Sequence, residues 1–275
     1  FTDIDFEPIW QELRERLVEE IDYLQEAESI RSMTAMHADS PDVIIPKVVE
    51  QGTTRRVLTM EFVKAIPPGE ASSDRYPQEL KDRWGVTLFD FTLRSLFEHR
   101  LLHADPNFAN FGFREDGSVI VYDYGCMKRV PEDIAIGYAR LIDALLKRRK
   151  TAIPDLFKEL GVYKEGGTSL SRTVTDPYVD LMQDILRASP SYTFGDDETI
   201  YRALYDLGTS NWREASDIRF PRDMVFIDRT LGGLFGNLGK LGATGPWRKI
   251  LRQYTAPLAG VRKPGRGERT AKNAA

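Results

Sequence analysis

Two short segments hold the residue types that could do chemistry. One is His103-Ala104-Asp105-Pro106-Asn107-Phe108-Ala109-Asn110; the other is Asp123-Tyr124-Gly125, with a turn signal at Asp116-Gly117 between them. Phosphoryl transfer asks a protein mainly to position groups and to offset charge. It needs an Asp near the acceptor, an Asn five residues on to hold a metal, and a second Asp to bridge metal and phosphates. Asp105, Asn110 and Asp123 stand in that order and at that spacing. Two carboxylates and one amide offer oxygen donors, which suits a hard cation such as Mg2+. An Asp before Pro can simply start a turn and Asp-Tyr-Gly can simply end a strand, so the weight lies in the combination.

The surrounding elements must bring the two segments together. A loop leads into a short strand ending near Phe113, Asp116-Gly117 turns it, and residues 118–125 read as a second strand. Antiparallel strands return the chain to its origin, which places Asp123 beside Asp105 and Asn110. Upstream, Trp10, Leu13, Leu17, Ile21, Leu24, Ala27 and Ile30 recur every three or four positions, predicting one long amphipathic helix from Phe6 to about Ala38. Residues 43–50 and 55–63 predict two strands joined by a turn at Gln51-Gly52-Thr53. Lys64 to Tyr76, with Pro67-Pro68-Gly69, predicts an irregular connector. Helical periodicity follows over 77–101, 132–149, 151–160, 174–188, 198–207 and 221–240.

Composition narrows the class. A chain of 275 residues can bury its own core, and no apolar run approaches the roughly 18 to 20 residues that cross a bilayer. One cysteine, Cys126, excludes a disulfide framework and points to a reducing, cytoplasmic setting. Thirty-eight basic against 42 acidic side chains leave a net charge of −4, too balanced for a protein built to grip nucleic acid. The chain starts at Phe1, and its acidic opening is no signal peptide, so it is expected to be an internal piece of a longer protein.

With these residues in view, the sequence resembles the UbiB-like (AarF-type) atypical kinase family over roughly residues 7 to 250. The 103–110 loop is similar to the family's His-Ala-Asp-Pro-His-Pro-Gly-Asn. Glu20-Ile21-Asp22-Tyr23-Leu24-Gln25-Glu26-Ala27 resembles its Glu-x-Asp helix, and Leu58-Thr59-Met60-Glu61-Phe62 its strand into the interlobe hinge. The resemblance implies an α+β, protein-kinase-like fold: a partial amino-terminal lobe (1–63, the long helix plus two strands), a hinge or connector (64–76), a mainly helical carboxy-terminal lobe (77–261) and a disordered basic tail (262–275). It implies Mg2+ and ATP as cofactors. Asp105 would orient or deprotonate the acceptor, and Asn110 and Asp123 would hold metal and nucleotide. Glu26 would pair with the nucleotide-binding lysine, and the backbone of Glu61, Phe62 and Val63 would meet adenine. Glu20 and Asp22 would restrain access from an amino-terminal Lys-x-Gly-Gln extension. Partners implied are nucleotide and, through the family's tie to ubiquinone biosynthesis, an isoprenoid lipid or a membrane surface.

The sequence also departs from the family pattern. Asn107, Phe108 and Ala109 replace His, Pro and Gly. The Lys-x-Gly-Gln motif, the alanine-rich nucleotide loop and the strand lysine have no counterpart, so these 275 residues alone are expected to catalyse little. A non-catalytic lipid-binding or scaffolding role and a small-molecule phosphotransferase stay open as alternatives. Among lesser candidates, Cys126 reads as a buried thiol, and His103 as a brace for the loop backbone. Residues 229–245 lack the strand and the Gly-Lys-Ser/Thr ending of a phosphate loop. Leu231, Leu234, Phe235, Leu238 and Leu241 there suit either core packing or a lipid contact.

Overall fold

A computed structural model describes residues 22–164, 166–187, 191–195 and 218–261. In chain order the elements are α1 (Tyr23–Met36), β1 (Val43–Ile44), α2 (Pro68–Ala71), α3 (Gln78–Arg94), β2 (Leu101–His103), β3 (Phe111–Phe113), β4 (Val119–Val121), β5 (Met127–Arg129), α4 (Glu132–Leu146), α5 (Ile153–Leu160), β6 (Tyr163–Lys164), α6 (Arg172–Arg187), β7 (Tyr192–Thr193), β8 (Ile218–Arg219), α7 (Arg222–Leu241), β9 (Thr244–Gly245) and α8 (Trp247–Ala259).

The expected long first helix does not run unbroken. Asp22 is non-helical (φ −97°, ψ 86°), and its side chain accepts from Leu24 N at 3.2 Å, an N-cap that opens α1 at Tyr23. Ala27, Ile30 and Met33 form the buried stripe of α1, while Leu24 is exposed. The part of the expected helix before Asp22, with Glu20, lies outside the described residues.

The two expected strands of 43–50 and 55–63 shrink to less. Val43–Ile44 pairs in parallel with β4, and the second segment meets the first only at a Val48–Met60 bridge flanked by Val49 N→Thr59 O and Glu61 N→Lys47 O, both 2.8 Å. Pro46 has no N–H to give and interrupts the ladder. The turn between them is a 3-10 turn, Glu50–Gly52, tied by Thr59 Oγ1 donating to Gly52 O. The connector is not wholly irregular either: Pro67 and Pro68 open the one-turn α2, because proline is pre-shaped for a first helical turn.

β3 and β4 form the expected hairpin, with Phe111 opposite Val121 and Phe113 opposite Val119. At its tip Gly117 has φ +90°, which glycine adopts without strain, and Ser118 anchors to Asp116 through backbone and hydroxyl. Val119, Ile120 and Val121 are all buried, so both faces of β4 are covered as well as both edges: β1 and β3 flank it and α3 packs against it. β2 pairs antiparallel with β5, from Leu101–Arg129 to His103–Met127. The helix expected through 101 leaves α-geometry at Arg94, continues as a π-turn over Ser95–His99, and ends at the left-handed Arg100, which frees Leu101 to start β2.

The helices supply the mass of the core. Trp84 of α3 and Trp247 of α8 are fully buried, and each indole N–H reaches a backbone carbonyl, Arg114 O at 2.8 Å and Tyr192 O at 2.7 Å. α8 was not among the expected helices, although Trp247, Ile250, Leu251, Tyr254 and Leu258 stand at helical spacing; Pro257 inside it and the Gly-Pro before it hid the pattern. The expected helix at 198–207 and the tail 262–275 lie outside the described residues.

Candidate active site

β2 and β5 run side by side, so the loop after His103 and the loop before Met127 leave the same end of one ladder. Ala104 N donates to Cys126 O at 2.9 Å, and Tyr122 N donates to Asn110 O at 2.8 Å, stitching the two loops together. This backbone frame sets Asp105, Asn110 and Asp123 on adjoining turns. Asn110 Nδ2 donates to Asp105 Oδ2 at 2.7 Å, which turns its amide oxygen away from Asp105. A 3-10 turn, Phe108–Asn110, presents Asn110, and Asn107 Oδ1 caps that turn by accepting from Ala109 N at 3.1 Å. Phe108 is buried against Phe113. Of the residues that depart from the family pattern, Phe108 is packed, and the exposed Asn107 and Ala109 are joined by the cap bond.

Asp123 has φ +57°, a left-handed conformation uncommon outside glycine and tolerated best by Asn and Asp. Two groups hold it there. His103 Nε2 reaches the carbonyl oxygens of Asp123 (2.6 Å) and Tyr122 (3.3 Å), so this nitrogen carries the hydrogen. Gly125 N donates to Asp123 Oδ1 at 3.2 Å. The expectation that His103 braces backbone is met. The Asp123 side chain is exposed, and no salt bridge among the described residues reaches it.

Glu26 of α1 comes to the same place: its Oε1 accepts from Tyr124 N at 2.9 Å, across 98 residues of sequence. Burial raises the Glu26 carboxyl above its usual range and the nearby Asp123 raises it further, while the Tyr124 bond opposes them. Cys126, expected to be buried, is only partly so, though burial still pushes its thiol up and disfavours the thiolate.

No hydrogen bond or ion pair among the described residues joins Asp22, Glu61, Phe62 or Val63 to this group. Asp22 caps α1 and pairs with Arg55 at 3.3 Å. The Glu61 amide is committed to Lys47 O, and Phe62 projects into solvent at 90% exposure. Sequence reasoning missed Arg229 and Asn237, both on α7. Arg229 Nη2 approaches Asp105 Oδ1 at 3.4 Å, and Asn237 Nδ2 donates to Pro106 O at 2.8 Å. A polar Asn inside the apolar run Leu234, Leu238, Leu241 was the available signal.

Among the described residues no three His, Cys, Asp or Glu side chains converge as a metal cage. The oxygens of Asn110 and Asp123 suit a Mg2+ that takes its remaining ligands from phosphates and water, as nucleotide-bound Mg2+ does. The residues fit such a group.

A hairpin flanked by an Asp-and-Asn loop and an Asp-aromatic-Gly loop, with a helix carboxylate against the latter, defines a protein-kinase-like domain. The family described as "ABC1 atypical kinase-like domain" matches residues 1–156, and the chain belongs to that UbiB/AarF family. An uncharacterized chloroplastic aarF domain-containing protein kinase of Arabidopsis thaliana is 30% identical over 264 residues, covering 92% of this chain and 36% of that protein. The mitochondrial atypical kinase coq-8 of Caenorhabditis elegans is 24% identical, covering 84% of this chain and 31% of that protein. The chain thus spans about a third of the length of these relatives. The fold is also that of Rv3197 of Mycobacterium tuberculosis, solved with erythromycin: TM-score 0.74, 18% identity, 94% of this chain and 64% of that one.

Proposed function

We propose that the protein containing this chain binds Mg2+-ATP and transfers or hydrolyses its terminal phosphoryl group. The observation that carries this reading is the 2.7 Å bond between Asn110 Nδ2 and Asp105 Oδ2, formed on the loop that the hairpin brings back to Asp123. In this reading Asp105 orients or deprotonates the acceptor hydroxyl, with one oxygen turned by Asn110 and the other facing Arg229. Asn110 and Asp123 hold Mg2+, which when bound offsets phosphate charge. Glu26 positions a lysine supplied from elsewhere in the protein, the backbone of Glu61, Phe62 and Val63 meets adenine, and Glu20 with Asp22 restrains access. The capped and packed 107–110 turn supports a working loop over a non-catalytic one.

The lobe boundary is proposed within 64–76. A role in ubiquinone or other isoprenoid-lipid metabolism is proposed from relatives named atypical kinase coq-8 and COQ8B, whose names place them in mitochondria. No helix among the described residues is long and apolar enough to cross a membrane. A peripheral contact with a lipid surface is part of the proposal.

Asp123→Asn in the full-length protein tests the site. It keeps shape and removes charge from a metal-holding position, so the thermal shift with Mg2+-ATP should collapse, with affinity lower by about tenfold or more. Equal shifts in wild type and variant would sink the assignment.

A further inference from the structure

α7 lies along the loop that carries Asp105. Five of its residues, Phe226, Arg229, Gly233, Asn237 and Lys240, recur at three- and four-residue steps and so share one face. Each meets the loop or its neighbour. Lys128 stands over the Phe226 ring at 5.2 Å, and Arg229 faces Asp105. Gly233 lies flush against Pro106, where an added Cβ would fall 2.2 Å from the ring Cγ. Asn237 bonds the Pro106 carbonyl, and Lys240 covers Phe108 at 5.3 Å.

Two of these contacts need a reason. Asn237 is only 3% exposed, and a buried amide is unfavourable unless bonded. Its side-chain N–H is directed at one target, Pro106 O. Proline has no N–H of its own, so at residue 106 the backbone can be gripped only by its carbonyl or its ring. α7 grips both. On the other side of Asp105, Ala104 N is bonded to Cys126 O. The backbone of Asp105 is therefore pinned at both flanking residues, once from the strand side and once from α7. This second pin comes from residues 222–241, beyond the matched family segment 1–156.

We propose that Asn237, with the clearance left by Gly233, is a positioning residue that sets the orientation of Asp105 toward the acceptor. The inference rests on the phosphoryl-transfer reading above and extends it to a residue that touches neither nucleotide nor acceptor. The Asn110 backbone is tied to Tyr122 and the Asp123 backbone to His103, so loss of the α7 pin moves Asp105 most; Asn110 feels it only through its side-chain bond to Asp105, and Asp123, the charged metal-holding group, is spared.

The test is Asn237→Leu in the full-length protein, which replaces a buried amide with a buried hydrocarbon, backed by Gly233→Ala, whose methyl group pushes on Pro106. Expected is a fall in kcat for Mg2+-ATP turnover of about 10- to 100-fold, with the Mg2+-nucleotide dissociation constant within about twofold of wild type. Amide exchange over residues 103–113 should quicken in both variants, with the α8 peptides unchanged. Unaltered kcat and unaltered loop exchange would overturn the proposal. So would kcat, nucleotide affinity and melting temperature all declining together, since that is what a merely structural residue produces. A wild-type protein that binds no Mg2+-nucleotide would count against the phosphoryl-transfer reading alone; loop exchange would still decide whether α7 holds Asp105.

Discussion

Glu26 shows how a single side chain ties distant parts of the site together. Its carboxylate is half-buried, its pKa is raised by burial, and one of its oxygens holds the amide next to Asp123. Glu26→Gln keeps an accepting oxygen and removes a charge that burial already penalises, so folding stability should stay within about 0.5 kcal/mol of wild type. Glu26→Ala leaves the Tyr124 amide without its acceptor and should lose about 1–2 kcal/mol. Urea unfolding of both variants checks this; a Gln variant as unstable as the Ala variant would show that the charge, not the hydrogen bond, holds the loop.

At the scale of elements, α7 has two working faces. One grips the Asp105 loop. The other carries Leu234, Leu238 and Leu241, all nearly inaccessible, and Phe235, which stacks on Phe194 at 5.4 Å. The apolar spacing that also suited a lipid contact is thus occupied by the protein's own core. Leu234→Asp would bury an unpaired charge there and should cost about 3–5 kcal/mol, seen as loss of the cooperative melt in circular dichroism. A variant that melts like wild type but no longer floats with anionic vesicles would instead restore the lipid reading.

At the scale of the whole molecule, α1 meets the helical body through His37. This ring is 4% exposed, packs on Phe91 and against His99, and contacts Ser95 Oγ at 3.2 Å through Nε2. Arg94 and Asp39 are the nearest permanent charges, paired with each other at 2.7 Å, and Glu98 lies beside His99. Burial first, then His99 and Arg94, holds the His37 pKa at about 4 against an ordinary 6.5. The unfolded chain takes up a proton below pH 6.5 that the folded one refuses until about pH 4, so this contribution to stability falls as pH drops through that window, by about 3 kcal/mol. Asp228, raised to about 6 by burial, acts with the opposite sign, gaining stability for the folded state as pH falls below 6. The wild-type curve alone is therefore flattened, and the difference between wild type and His37→Gln isolates the imidazole. Wild type should lose ground to the variant between pH 6.5 and 4; parallel stability curves would refute the buried neutral ring.

The sequence by itself determined the order and spacing of Asp105, Asn110 and Asp123, the hairpin between them and most helices of the carboxy-terminal part, because these depend on neighbours within a few positions. The same local reading led from motif to family. What it could not decide was anything set by residues far apart in the chain. Asp22 starts α1 at a point that periodicity would carry straight through, since its side chain caps the first turn and its backbone is non-helical. The strands of 43–63 dwindled because the partner of Val43–Ile44 is β4, 76 residues on, and not the adjacent segment. Only the tertiary structure placed Arg229 and Asn237 over Asp105 and its proline, 124 and 131 residues away. A contact of that separation leaves in the sequence only an unexplained polar residue on a buried face.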